Sequence, residues 1–329
     1  MLNTHARLSS KVFSDDIPRA ATRDGFGTGV VEAGKADAQV VVLCADLKES
    51  TRAEVFEHEF PDRFIEVGVA EQNMAALAAG MAAAGKIPFI TSYAVFNPGR
   101  NYEQIRTTIA LNQVKVIVCG MHAGVSVGPD GATHQMLEDI GLMRMLPHMT
   151  VIAPGDAEEA EKAVLAAAAS TGPVYLRFGR APTPLFTTPA TPFHIGKALL
   201  LFSLKNPQIA IFSTGAQSYT ALLAARALAE EGIAVTVHHV PTIKPLDAPA
   251  LLAAAKSAGR VITLEEHQAA GGFGSAVAEL LSTHHPVPIL RLGVADQFGQ
   301  SGTPEELLAH YGLDVPSVVR AAHALVRAA

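Results

Sequence analysis

The chain has 329 residues, 49% apolar and 17% charged, with 25 basic side chains against 31 acidic ones. That length suits about two domains of ~100–200 residues each. The formal net charge of −6 lacks the basic excess of a nucleic-acid binder, and no run approaches the ~18 uninterrupted apolar residues of a membrane span.

The polar start, residues 1–19, does not read as a signal peptide. Short β-branched runs then alternate with alanine-rich stretches. Residues 39–44 (QVVVLC), 64–67, 115–119 and 174–177 predict buried strands. Residues 69–84, 100–111, 135–146 and 156–170 predict helices, with apolar positions such as Met74, Leu77 and Met81 at helical spacing. Asp156 has the position of an N-cap, with Glu158 and Glu159 in the first turn. Pro182, Pro184, Pro189 and Pro192 crowd a threonine-rich stretch that can continue neither helix nor strand.

Beyond it the pattern restarts, with strands expected at 209–213, 234–240, 261–264 and 289–292. Helices are expected at 216–231, 251–257, 274–281, 304–310 and 316–328. Strands alternating with helices, without hairpin signals, predict an α/β fold: two consecutive open-sheet three-layer domains. Their expected bounds are 12–181 and 194–329, joined by a Pro-rich linker at 182–193. Cys44 and Cys119 are too few for a disulfide framework, so a reducing cytoplasm is the expected compartment.

Side chains capable of chemistry collect at the ends of expected strands, where open parallel sheets carry their sites. Glu71 follows the strand 64–67; on its own it reads as a first-turn carboxylate that favours the helix dipole. Residues 121–135 hold three glycines, Asp130, His122 and His134, a loop hard to explain by packing. The twelve-residue separation of its histidines is not a short-range metal-ligand pattern. A glycine-rich loop leading into a helix suits phosphate, but the Walker lysine is absent. Phe89, Tyr93, Phe96 and Tyr102 form an aromatic group that alone would be read as core. Arg23, Ser50, Arg177 and Arg180 are scattered; guanidinium forks fit phosphate, and isolated arginines are commonly solvated.

The run GVAEQNM (68–74), followed by HAGVSVGPDGATHQ (122–135) and preceded by ATR (21–23), resembles the transketolase family of thiamine diphosphate enzymes. The resemblance extends from about Arg19 to the end of the chain. It implies a pyrimidine-binding domain followed by the family's C-terminal domain. It also implies that Glu71 hydrogen-bonds N1′ of the cofactor's aminopyrimidine, favouring the imino tautomer, and that Tyr93 and Phe96 stack on that ring. His134, in Thr133-His134-Gln135, corresponds to the histidine that polarises the substrate carbonyl and shuttles protons. His122 and Asp130 correspond to substrate-contacting residues, and Arg23, Ser50 and Arg180 to phosphate anchors. Arg177 fits less well and is expected to be structural. Pro129 and Ala132 depart from the family's pattern by replacing an acidic residue and a proline. In the second half, residues 239–247, 265–267 and 271–275 also resemble the family, whose C-terminal domain is structural, and His267 is expected to be a packed or surface histidine.

The family binds the cofactor's diphosphate through a divalent metal (Mg2+ or Ca2+) on another domain carrying a GDG motif, which this sequence lacks. The resemblance therefore implies one subunit of a split transketolase. A separate partner polypeptide would supply the diphosphate domain in an α2β2 assembly acting on sugars or sugar phosphates. The competing readings are a 2-oxo-acid dehydrogenase beta subunit, a split relative of deoxyxylulose-5-phosphate synthase, and a non-catalytic regulatory or scaffolding paralogue. The motif at 133–135 disfavours the first and Met121-His122 the second. Retention of Glu71, His122, Asp130 and His134 together disfavours the third.

Overall fold

A computed structural model describes residues 1–327; residues 328 and 329, including the end of the expected helix 316–328, lie outside the described residues. The strands, in chain order, are β1 (Arg19–Ala20), β2 (Val40–Cys44), β3 (Phe64–Glu66), β4 (Ile87–Tyr93), β5 (Ile117–Met121), β6 (Thr150–Ile152) and β7 (Val174–Arg177). They continue with β8 (Thr183–Pro184), β9 (Leu199–Ser203), β10 (Ile209–Ser213), β11 (Val235–His239), β12 (Thr242–Lys244), β13 (Val261–Gln268) and β14 (Ile289–Val294). The first sheet has the order β12-β6-β7-β5-β4-β2-β3 and the second β14-β13-β10-β11-β9. Both are parallel except at one edge, where β12 and β9 run antiparallel to their neighbours. The two expected α/β units are thus present.

One face of the first sheet packs on Phe26, Phe56 and Ala160 from the helices Thr22–Ala36, Glu54–Glu59 and Ala157–Ala169. The other packs on Met74, Ile109 and Met143, and its cluster continues into Phe212, Leu251 and Phe273 of the second sheet's layers. Leu222, Leu228 and Val318 cover the remaining face of the second sheet, together with Ala6 and Val12 from the start of the chain.

The helix Thr22–Ala36 was not expected, because TRDGFGTG carries glycines that each cost about 1 kcal/mol in a helix interior. Packing reverses that preference. A Cβ on Gly25 would lie 2.0 Å from the Ala157 carbonyl oxygen, and one on Gly29 would lie 2.9 Å from Val164 Cβ. The glycines let this helix approach Ala157–Ala169 closely, and that approach fixes the first turn, which carries Arg23.

Two expected helices are shorter than anticipated. Residues 135–138 are not helical and the helix begins at Asp139, because Gln135 Nε2 donates to the carbonyls of Val125, Gly128 and Gln300 and Met136 bridges Ala123. The stretch expected as 100–111 is a short turn, Tyr102–Gln104, running into a π-helix, Ile105–Ala110. There the hydroxyls of Thr107 and Thr108 bond the carbonyls of Glu103 and Gln104, competing with the regular ladder. The expected N-cap holds: Asp156 Oδ1 accepts the Glu159 N–H at 3.0 Å.

The proline-rich stretch is bound at both ends. β8 pairs with β1, and Thr187 donates through its amide and hydroxyl to the buried Asp156 carboxylate.

Candidate active site

β2, β3, β4, β5 and β7 are mutually parallel, so their carboxyl ends share one edge of the first sheet. Tyr93 closes β4, and Ser50, Glu71, His122 and Arg180 each follow one of the other ends. β3 lies on one side of β2 and β4 on the other, which makes the β2/β4 boundary the switch point at which such sheets open a crevice.

Glu71 is the first residue of the helix Glu71–Ala83 and is 1% exposed. A buried carboxylate needs a counter-charge, and Arg100 supplies it: its Nη1 lies 2.7 Å from Glu71 Oε2. The Arg100 guanidinium also lies over the Phe96 ring, 4.4 Å from its centroid. Phe96 and Tyr93 are near parallel with centroids 6.0 Å apart, and Tyr93 stacks on the His122 imidazole at 4.1 Å. His134 presents its ring at a steep angle to both aromatics, at 6.0 and 5.8 Å, and its Nδ1 meets the Thr133 hydroxyl at 2.9 Å.

His122 Nε2 lies 2.9 Å from Arg23 Nη1, which also donates to the Ser50 carbonyl at 2.8 Å. A guanidinium can only donate, so Nε2 accepts and the ring proton belongs on Nδ1. That buried Nδ1 has no partner within the protein, leaving a donor for a ligand oxygen. Burial, reinforced by the charges of Arg23 and Arg180, lowers the His122 pKa from 6.5 to about 3, so the ring is neutral at physiological pH. Its backbone has φ +55°, a left-handed conformation that a histidine adopts at some cost and that structures tend to concentrate at functional sites.

Arg180 Nη1 donates to the Val127 carbonyl and lies 3.7 Å from Asp130 Oδ1 on the exposed tip of the loop. Burial lowers the Arg23 pKa, and the neighbouring cations Arg52 and Arg180 lower it further, against an opposing effect of Asp24. Crowded guanidinium groups of this kind are relieved by an anion.

Phe96, Tyr93, His122, His134, Arg23 and the Ser50 carbonyl therefore form one row of contacts, which Arg100 joins to Glu71, with Arg180 and Asp130 attached through the loop. Ser50 contributes its backbone oxygen to this row. Arg177 is turned away from it: buried, it bonds Asp139 and the Glu266 carbonyl. His267 is packed, with Nδ1 on the Gln268 carbonyl and Nε2 accepting from Gly141. Cys44 and Cys119 are free and buried.

Three contributors were invisible as such in the sequence. Arg100 was hidden at the start of an expected helix; the rule that a buried carboxylate requires a cation would have prompted a search for it. Gln135 ties the site loop to itself and to Gln300. Glu266, from β13 of the second sheet, accepts the Ser126 N–H at 2.5 Å, and a Cβ on Gly124 (φ +91°) would lie 2.4 Å from the same carboxylate oxygen. The second domain thus grips the loop that carries both site histidines.

The buried carboxylate beside two flat aromatic faces suits an aminopyrimidine, and the unpartnered His122 donor beside clustered guanidiniums suits an oxygen-rich anion. The pyrimidine-binding domain of transketolase matches residues 19–184 as a family model, and the transketolase C-terminal domain matches residues 196–318. A transketolase C-terminal section from Methanocaldococcus jannaschii is 41% identical over 301 residues, covering 91% of this chain and 94% of that protein. The 6-deoxy-6-sulfo-D-fructose transketolase subunit SqwH of Clostridium sp. is 39% identical, covering 92% and 93%. Rat transketolase is 37% identical over 94% of this chain, which spans only 49% of that enzyme. Among solved structures, a split-gene transketolase described as an inactive beta4 tetramer superposes with a TM-score of 0.87 at 41% identity, covering 93% of this chain and 98% of its own.

Proposed function

The chain belongs to the transketolase family, and on that premise we propose that it is the C-terminal subunit of a split transketolase. With a partner bearing the diphosphate-binding domain, it transfers a two-carbon ketol unit from a ketose to an aldose. The observation that carries this reading is the row from Glu71 to Arg23, in a chain matched along nearly its whole length by relatives named as transketolase sections or subunits. Residues 12–181 serve as the pyrimidine-binding unit and residues 194–329 as the C-terminal unit, joined through 182–193. The free cysteines suit the cytoplasm, and no helix among the described residues is long and apolar enough to cross a membrane.

Thiamine diphosphate, when bound, would supply the nucleophilic carbon that ketol transfer requires. The chain's own residues do the rest. Glu71, shielded from water, holds the pyrimidine N1′ and shares a proton with it. Phe96 and Tyr93 offer flat apolar faces that fix the ring without engaging its polar edge. His122 donates its Nδ1–H to a sugar oxygen, and its neutrality leaves it unable to compete as an acid. His134, at the open side of the aromatic pair, holds the substrate carbonyl and hydroxyl oxygens and moves the proton between them. Arg23 and Arg180 receive the anionic end of the sugar, with Asp130 on a hydroxyl. The diphosphate and its Mg2+ or Ca2+ are held by the partner, in an α2β2 assembly.

Purification with a candidate partner, followed by assay with thiamine diphosphate, Mg2+, ribose 5-phosphate and either xylulose 5-phosphate or 6-deoxy-6-sulfo-D-fructose, tests the reading. Activity is expected only from the mixture, and the preferred donor identifies the anionic group. Turnover by this chain alone, or none with any partner, overturns it. Glu71→Ala is expected to abolish turnover while the complex still assembles on a sizing column; near-normal rates would remove Glu71 from the mechanism.

A further inference from the structure

Arg100 faces the site and has no role in that chemistry, and its position is informative. Its guanidinium engages two groups at once, the Glu71 carboxylate at 2.7 Å and the Phe96 ring at 4.4 Å. Those are the two handholds that the proposed function assigns to the aminopyrimidine, a planar ring that stacks on Phe96 and bonds Glu71. A guanidinium has the matching attributes: it is flat, stacks on aromatic faces and presents N–H donors in its plane to a carboxylate. Stacked groups approach to about 3.5–4.0 Å between atoms, so the two cannot share the Phe96 face and the same carboxylate edge.

The backbone under Arg100 is fixed by buried bonds, while its side chain is held only by those two contacts and is otherwise open to solvent. Asn97 and Asn101, both fully buried, clamp the turn on either side. Asn97 Nδ2 donates to the Ile90 and Cys119 carbonyls, and Asn101 Nδ2 to the Glu71 carbonyl and Asn97 Oδ1. A Cβ on Gly99 would lie 2.1 Å from the Val95 carbonyl oxygen, so this turn has no slack. The Arg100 side chain, by contrast, is 45% exposed and can leave by rotamer changes alone, with water ready to take the charge.

We infer that Arg100 is a gate on the pyrimidine seat: its guanidinium occupies the Glu71 and Phe96 contacts and must swing into solvent before a pyrimidine binds. The gate keeps the Glu71 carboxylate paired while the seat awaits its ligand, and the cofactor binds only the fraction of molecules in which the gate stands open. Apparent affinity is reduced by that fraction.

The inference rests on the proposed cofactor site and is tested by equilibrium binding, independently of turnover. Thiamine diphosphate with Mg2+ is titrated calorimetrically into the assembled complex carrying wild-type chain, Arg100→Met or Arg100→Lys. Arg100→Met is expected to bind roughly 10-fold more tightly, and Arg100→Lys, which keeps the charge but loses the planar fork, to fall between. Unchanged or weaker binding by a folded Arg100→Met complex overturns the gate and makes Arg100 a support for Glu71. Should Arg100→Met fail to fold, Arg100→Gln, neutral but still able to donate to Glu71, is held to the same criterion. A wild-type complex that binds no thiamine diphosphate overturns the site reading and the gate with it, whereas wild-type binding without tightening in the variants overturns the gate alone.

Discussion

His122 illustrates how one residue joins local geometry to chemistry. Its left-handed backbone turns the ring onto Tyr93, Arg23 fixes its tautomer, and burial strips its charge. His122→Phe keeps a ring on Tyr93 but removes the Nδ1–H donor, and is expected to lower reconstituted activity ~100-fold, the scale of losing one preorganised donor. The same variant reports on stability. The unfolded chain takes up this proton near pH 6.5, whereas the native ring resists it to about 3. The unfolded state therefore binds more protons inside that window, and stability falls as pH drops from 6.5 toward 3, by up to ~1.4 kcal/mol per pH unit. His238, lowered to about 4 by burial, adds to the slope. Urea midpoints followed against pH should decline less steeply in His122→Phe than in the wild type; equal slopes would refute the assignment. Position and residue type identified His122 as a candidate in the sequence. Its tautomer required Arg23, ninety-nine positions away, to be brought beside it, and its neutrality required burial first, with Arg23 reinforcing it.

At the scale of elements, what decides the site is the conformation of the loop after β5 and the grip on it. The loop was legible as chemistry because three glycines, an aspartate and two histidines have no reason to gather in a packing segment. Its true length was not legible, since residues 135–138 carry a helical pattern that the three bonds from Gln135 override. The helix Thr22–Ala36 was missed for the converse reason: its glycines oppose helix locally and favour it only when Ala157–Ala169 lies against them. Glu266 is the test of the grip. Burial raises its pKa, against the opposing pull of its bond to Ser126. Removing this acceptor leaves the part-buried Ser126 N–H unsatisfied, at a cost of about 1 kcal/mol, the lower end of the range for a fully buried group. Glu266→Ala should therefore lower the urea midpoint, and also raise KM and lower kcat by loosening the loop that holds His122 and His134. Glu266→Gln, which can still accept from Ser126, should restore most of both. A variant that loses stability while keeping wild-type kinetics would show that the contact supports the fold and not the site.

Across the whole molecule, the two domains are tied by buried polar contacts as well as by a shared core. His239 on β11 bonds Glu159 of the first domain at 2.6 Å and Ser218 at 2.6 Å, all three side chains lying out of solvent. β12 leaves the second domain to form the edge of the first sheet. His239→Ala leaves the Glu159 carboxylate without this partner and is expected to cost ~1–3 kcal/mol or more, read as a lower thermal midpoint; an unchanged midpoint would show that the contact contributes nothing. The α/β class, the alternation of strands with helices, the family and the main site candidates were legible in the sequence alone, because they depend on local pattern and on motifs contiguous in the chain, whereas elements such as the helix Thr22–Ala36 and the strands β4 and β6 were not. The Arg100–Glu71 pair, the Glu266 hold on the loop, the His239–Glu159 tie and the crossing of β12 were decided only in the tertiary structure. Each joins residues far apart in sequence, and the buried charge or hydrogen-bonding group that demands a partner carries no local sign of which distant residue will satisfy it.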